Sequence, residues 1–123
     1  MSEQAKTSQL AHKKCKPCSG ETPALKGGEL KQFRSQLGKG WRVVDEHHLE
    51  KNFPFKNFSE ALDFTNRVGE IAERENHHPD IFLTWGRARL KIWTHKIGGL
   101  SENDFILAAK AEEAFREMTP VNH

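Results

Sequence analysis

Residues 57–92 read NFSEALDFTNRVGEIAERENHHPDIFLTWGRARLKI, and they predict a helix, a sharp stop and two strands in succession. Asn57 can cap the helix, and Glu60, three residues on, can reach back to the free amide at its start. Phe58, Ala61, Leu62, Thr65, Val68 and Ala72 then trace one helical stripe, widened by Phe64 and Ile71. This predicts the best-buried helix of the chain. Pro79 disfavours the α conformation in the residue before it, so the helix ends near 76–78. Beyond it, Ile81, Leu83 and Trp85 alternate with Phe82 and Thr84. Gly86-Arg87 supplies a turn, and Ala88, Leu90 and Ile92 alternate with Arg89 and Lys91. A hairpin follows.

Outward from that stretch the same logic repeats. Towards the N-terminus, Trp41–Val44 and Leu49–Phe55 are rich in aromatic and β-branched residues and flank the polar Asp45-Glu46-His47-His48, which predicts another hairpin with Pro54 near its end. Before it, Leu30, Phe33, Arg34 and Leu37 fall at helical spacing until Gly38 and Gly40 stop the segment. Towards the C-terminus, Gly98-Gly99 break the chain. Ser101 can then cap a helix with Asp104 at its third position, Leu100 and Phe105 can form a hydrophobic staple, and Ala108, Ala111, Phe115 and Met118 continue one face. The predicted order is α-β-β-α-β-β-α, an α+β fold with a four-stranded antiparallel sheet and three helices on one face. We assign it to one domain over 27–120. Residues 1–26 show no apolar period and are expected to be a flexible polar arm, dispensable for the fold.

The whole chain of 123 residues fits one domain. With 36% hydrophobic and 29% charged residues it can build a core, and its formal charge of +2, with the signs interspersed, argues against a nucleic-acid binder. The longest apolar run, Phe105–Ala109, is far too short for a membrane span, and Met1–Lys6 lacks an apolar signal region, so the expected compartment is the cytoplasm. Cys15 and Cys18 are too close in sequence to staple distant parts of the fold. His12, Cys15 and Cys18 lack the second cysteine pair of a tetrahedral zinc site, and no metal is expected there.

Histidine titrates near neutral pH, and His77, His78 and His95 fall at predicted element ends, where a scaffold exposes functional groups. Glu73 precedes His77 by one helical turn and can orient it, while Asp104 can do the same for His95. Spacing alone is equally compatible with a polar helix end and a satisfied loop histidine. Asp104 is already explained by its capping role. Adjacent histidines rarely converge on one ion, and no H-E-x-x-H spacing is present, so no metal is expected here either. Trp41, Trp85 and Trp93 read as core or sheet residues.

Taken together, Glu73-x-x-x-His77-His78-Pro79, Thr94-His95 and Gly99-Leu100-Ser101-x-x-Asp104 resemble the signature of the pterin-4a-carbinolamine dehydratases. The similarity extends to Phe55-Lys56-Asn57-Phe58 and Phe64-Thr65-Asn66-Arg67-Val68 and covers roughly residues 30–118. The resemblance implies the dehydration of 4a-hydroxytetrahydropterin to quinonoid dihydropterin, in the recycling of tetrahydrobiopterin after aromatic amino-acid hydroxylation, without metal or organic cofactor. It implies His77 and His95 as acid and base, His78 holding the pterin, and Glu73 and Asp104 in support. Pro79, Thr94, Trp41 and Trp93 would then line the substrate. It also implies a homodimer or homotetramer, with an aromatic amino-acid hydroxylase as the functional partner. Two other readings go with the same resemblance: a dimerisation or coactivator-type interaction module, and a protein of another pterin route such as molybdopterin metabolism. Trp93 is bulkier than the small residue expected before Thr94-His95.

Overall fold

In the computed structural model, which describes residues 3–17 and 20–118, the chain runs α1 (Glu3–Ala11), α2 (Gly28–Arg34), β1 (Arg42–Val44), β2 (His48–Pro54), α3 (Phe58–Glu75), β3 (Asp80–Thr84), β4 (Arg87–Ile92), a 3-10 turn at His95–Ile97, and α4 (Glu102–Met118). Cys18 and residues 119–120 of the expected domain lie outside the described residues. The four strands pair antiparallel in the order β1-β2-β4-β3. The alternation of apolar residues sets the register: Leu49 opposes Ile92 and Phe53 opposes Ala88, while across the other edge of β4 Ile81 opposes Leu90 and Leu83 opposes Ala88. Leu49, Phe53, Ala88, Leu90 and Ile92 are fully buried on that face. The opposite face is mostly polar, with Phe82 exposed on it, and Arg42 donates to Glu50 at 2.6 Å across the β1–β2 pair.

Both hairpins close tightly. In the first, the loop is Asp45-Glu46-His47: Asp45 and Glu46 each take φ 53°, a left-handed pair that matches the strand twist, and the His47 N–H bonds back to the Val44 carbonyl at 2.8 Å. In the second hairpin the loop is Trp85-Gly86, since Arg87 already pairs with Thr84; the turn sits one residue earlier than Gly86-Arg87. Asn57 caps α3, its side-chain oxygen accepting from the Glu60 N–H at 2.9 Å, while the Glu60 carboxylate accepts from the Lys56 N–H, one residue before the cap. The helix ends at Asn76 in the left-handed conformation (φ 52°), and the His77 N–H bonds back to the Ala72 carbonyl.

Two expectations fail here. The best-buried helix is α4, which buries the unbroken run Asn103–Ala109 and also Ala111, Glu112 and Ala114, whereas α3 leaves Phe58 and Leu62 exposed. The reason is the second correction: Glu3–Ala11 is a helix packed on α4 rather than a flexible arm. Leu10 and Ala11 are buried against it, the buried Thr7 hydroxyl donates to the Gln36 carbonyl at 2.7 Å, and the Lys110 ammonium donates to the Ala11 carbonyl at 2.6 Å. One short apolar turn held by polar bonds leaves no apolar period to read. α4 is thereby covered on both sides, with α2, α3 and α4 over the sheet and α1 outside α4.

The alternation also hides an ion pair in the core. Lys51 lies on the apolar face of β2 and pairs with the buried Glu112 of α4, which also accepts the Trp41 indole N–H at 3.0 Å. Among the described residues no helix is long and apolar enough to cross a membrane.

Candidate active site

The loop from β4 to α4 builds the site's floor. Thr94 pairs with Gly99 across the 3-10 turn, its N–H bonding to the Gly99 carbonyl at 2.9 Å. Gly98 closes that turn at φ 60°, and a side chain on Gly99 would come within 2.8 Å of the Ala24 Cβ. The two glycines thus meet two demands, a left-handed residue and a close approach. They bring Ser101 and Asp104 back onto Thr94.

Asp104 joins the pieces. One carboxylate oxygen accepts from the Ser101 N–H and from the Thr94 hydroxyl, both at 2.8 Å, and the other meets His77 Nε2 at 2.5 Å. One fully buried carboxylate thus both accepts the Ser101 N–H at the start of α4 and holds His77. Because a carboxylate only accepts, it holds the proton of neutral His77 on Nε2 and leaves Nδ1 as the basic nitrogen. Glu73 contacts His78 instead, at 2.5 Å, in an exposed pair. The partners inferred from helical spacing are thus exchanged: Asp104 holds His77 rather than His95, and Glu73 holds His78 rather than His77. The left-handed Asn76 turns the chain out of the helical phase on which the i, i+4 pairing depended.

His77, His78, Trp93, Thr94 and His95 line one cavity of about 430 Å³, within the range of small-molecule sites. His95 is exposed and its ring lies 4.1 Å from that of Trp93, whose other neighbour is His47 at 4.4 Å. Asp104 and Glu73 stand behind the lining histidines. Trp41 does not wall the cavity, because it is fully buried with its N–H given to Glu112. Pro79 also lies outside the lining; it sets the helix end that presents His77 and His78.

Sequence reasoning missed the opposite wall. Cys15, Lys16 and Pro17 line the cavity with Glu75, Asn103 and Lys96. The Asn103 side chain bonds Lys16 reciprocally, accepting its N–H at 2.9 Å and donating to its carbonyl at 2.6 Å, and Glu75 accepts the Cys15 N–H at 2.9 Å. Cys15 stands in the His12-x-x-Cys15-x-x-Cys18 spacing, which the sequence raises only as a metal site, and the others belong to no readable pattern. On the hairpin side, burial pushes His48 below its ordinary value of 6.5, with Lys91 and His47 adding to the effect and Glu50 opposing it.

The family model described as pterin 4 alpha carbinolamine dehydratase matches residues 23–114. A Rubrobacter xylanophilus protein bearing that activity as a provisional name is 60% identical over 105 residues, 85% of this chain and 97% of its own length. One from Alkaliphilus metalliredigens with the same provisional name is 54% identical over 104 residues, 85% of this chain and 94% of its own. Among solved structures, a transcriptional coactivator/pterin dehydratase from Brucella melitensis superposes with a TM-score of 0.69 at 31% identity, covering 73% of this chain and 96% of that one. Sequence and fold agree, and the chain belongs to the pterin 4 alpha carbinolamine dehydratase family.

Proposed function

We propose that the protein removes water from 4a-hydroxytetrahydropterin to give quinonoid dihydropterin. The observation that carries this reading is the convergence of three imidazoles on one cavity, one of them locked by a buried carboxylate. The reaction must protonate the C4a hydroxyl so that it leaves as water and must take the N5 proton as the C4a–N5 double bond forms. It therefore needs one acid and one base within reach of the same ring. His77, with Nδ1 free to accept, suits the base; exposed His95, against Trp93, suits the acid at the other rim; and His78 with Glu73 holds the pterin. Thr94 fixes Asp104, and the Trp93 ring offers a stacking face.

The proposal includes a cytoplasmic role in recycling the pterin oxidised by an aromatic amino-acid hydroxylase, and a homodimer or homotetramer. Exposed Phe82 and Trp85, beside an open sheet edge, support self-association. A second reading, as an interaction module, is favoured by the similarity to the Brucella melitensis transcriptional coactivator/pterin dehydratase. The deciding experiment follows quinonoid dihydropterin formation from 4a-hydroxytetrahydropterin with the purified protein. Acceleration proportional to enzyme supports the dehydratase, and no acceleration over buffer leaves the interaction module.

A further inference from the structure

The wall opposite the histidines is built with care for a segment outside every sequence motif. Asn103 is buried, and its side-chain amide makes two bonds to the backbone of Lys16. Glu75, nearly as buried, gives one oxygen to the Cys15 N–H and faces Lys110 with the other at 3.8 Å, while Lys110 also binds the Ala11 carbonyl. Residues 11–17 are thus strapped across α4 from its outer side to the mouth of the cavity. Leaving the buried Asn103 amide unpaired would cost about 1–3 kcal/mol, so the strap is held in one place rather than resting on the surface.

The strap changes the charge of the cavity. Lys16 on the strap and Lys96 on the 3-10 turn both line it and both are exposed. Neither forms an ion pair with a carboxylate among the described residues. The acids nearby are already engaged: Glu75 with Lys110 and the Cys15 N–H, Glu73 with His78, and Asp104 with His77. Two uncompensated cations therefore stand at the exposed rim of a cavity that His77, His78 and His95 also line.

Resting on the dehydratase reading, we infer that Lys16 and Lys96 form a subsite for a pterin whose side chain carries a negative charge, a phosphate or a carboxylate. The bicyclic ring sits against the histidines and Trp93, and its substituent points outward between the two ammonium groups. Asn103 is the positioning residue, since it holds the backbone that carries Lys16.

The test measures binding of three probes to the full chain by fluorescence titration at low and at 0.5 M salt: 7,8-dihydrobiopterin, which is neutral in its side chain, 7,8-dihydroneopterin phosphate, and 7,8-dihydrofolate. At low salt one or both anionic probes should bind more tightly than the neutral one by about three- to tenfold, the worth of two exposed ion pairs, and salt should erase the difference. Whichever anionic probe gains identifies phosphate or carboxylate as the ligand. Lys16→Ala with Lys96→Ala should bring the ratio to about one, and Asn103→Ala, which frees the strap, should lower it as much as Lys16→Ala alone. Equal binding of neutral and anionic probes, or a preference that survives both lysine substitutions, overturns the subsite and leaves the dehydratase reading standing. Failure of all three probes to bind overturns both.

Discussion

Replacing Asp104 by Asn tests the hydrogen-bond logic of the site most sharply, because the shape is kept and only the charge and one set of lone pairs change. In the native site one oxygen accepts from two donors, Ser101 N–H and Thr94 OH, and the other meets His77 Nε2. The two donors keep the amide oxygen of the variant, so its NH2 group turns to His77. A donor there forces Nε2 to accept and moves the ring proton to Nδ1, which removes the base. The two retained bonds drop from charged to neutral strength, about 1 kcal/mol each, partly offset by no longer burying a charge. The expected loss of stability is about 1–2 kcal/mol. Turnover should fall by about 10²–10⁴, the worth of a general base. Steady-state rates of quinonoid dihydropterin formation and urea unfolding curves separate the two effects. A folded Asp104→Asn protein with turnover within about threefold of wild type would refute the tautomer argument.

Other perturbations follow from the same contacts. Lys51→Met strands the buried Glu112 and should cost about 3–5 kcal/mol in urea unfolding, while Lys51→Met with Glu112→Leu should recover most of it; an equal loss in the double variant would mean the pair is not the cause. Removing residues 1–17 uncovers α4 and forfeits the burial of Leu10, so stability should drop by at least about 2 kcal/mol, and an unchanged midpoint would restore the dispensable arm. His48 is held below 6.5 in the fold, so the unfolded chain takes up its proton first and stability declines as pH falls below that value. Burial pushes the Glu50 carboxyl up, but the hydrogen bond and charge of Arg42 outweigh it and hold the group below 4.5, so its contribution is lost at still lower pH. His48→Gln should flatten the slope of unfolding free energy between about pH 7 and 5, and an unchanged slope would assign it elsewhere.

The sheet, both hairpins and helices α2, α3 and α4 were legible because each announces itself locally: Asn57 and Ser101 as starts, Pro79 and Gly98-Gly99 as breaks, and strict alternation in β3 and β4. What was not legible depends on contacts between distant residues. α1 has only Leu10 as a large apolar anchor, and its docking bonds run to Gln36 and Lys110, far along the chain. Lys51 breaks the apolar alternation of β2, and only Glu112 of α4 explains it. In the site, the histidines stood out by position, but their partners did not, since the left-handed Asn76 lies between Glu73 and His77 and resets the geometry. Trp41 was expected to line the substrate, yet it turns inward to Glu112.

The central claim is that His77 and His95 perform the two proton transfers while His78 holds the ring. Its direct test is the turnover of 4a-hydroxytetrahydropterin by His77→Ala, His95→Ala and His78→Ala, each checked for a native unfolding curve. The account predicts that the first two lose about 10²–10⁴ in kcat and that the third mainly raises KM. Near wild-type turnover by both His77→Ala and His95→Ala would contradict it.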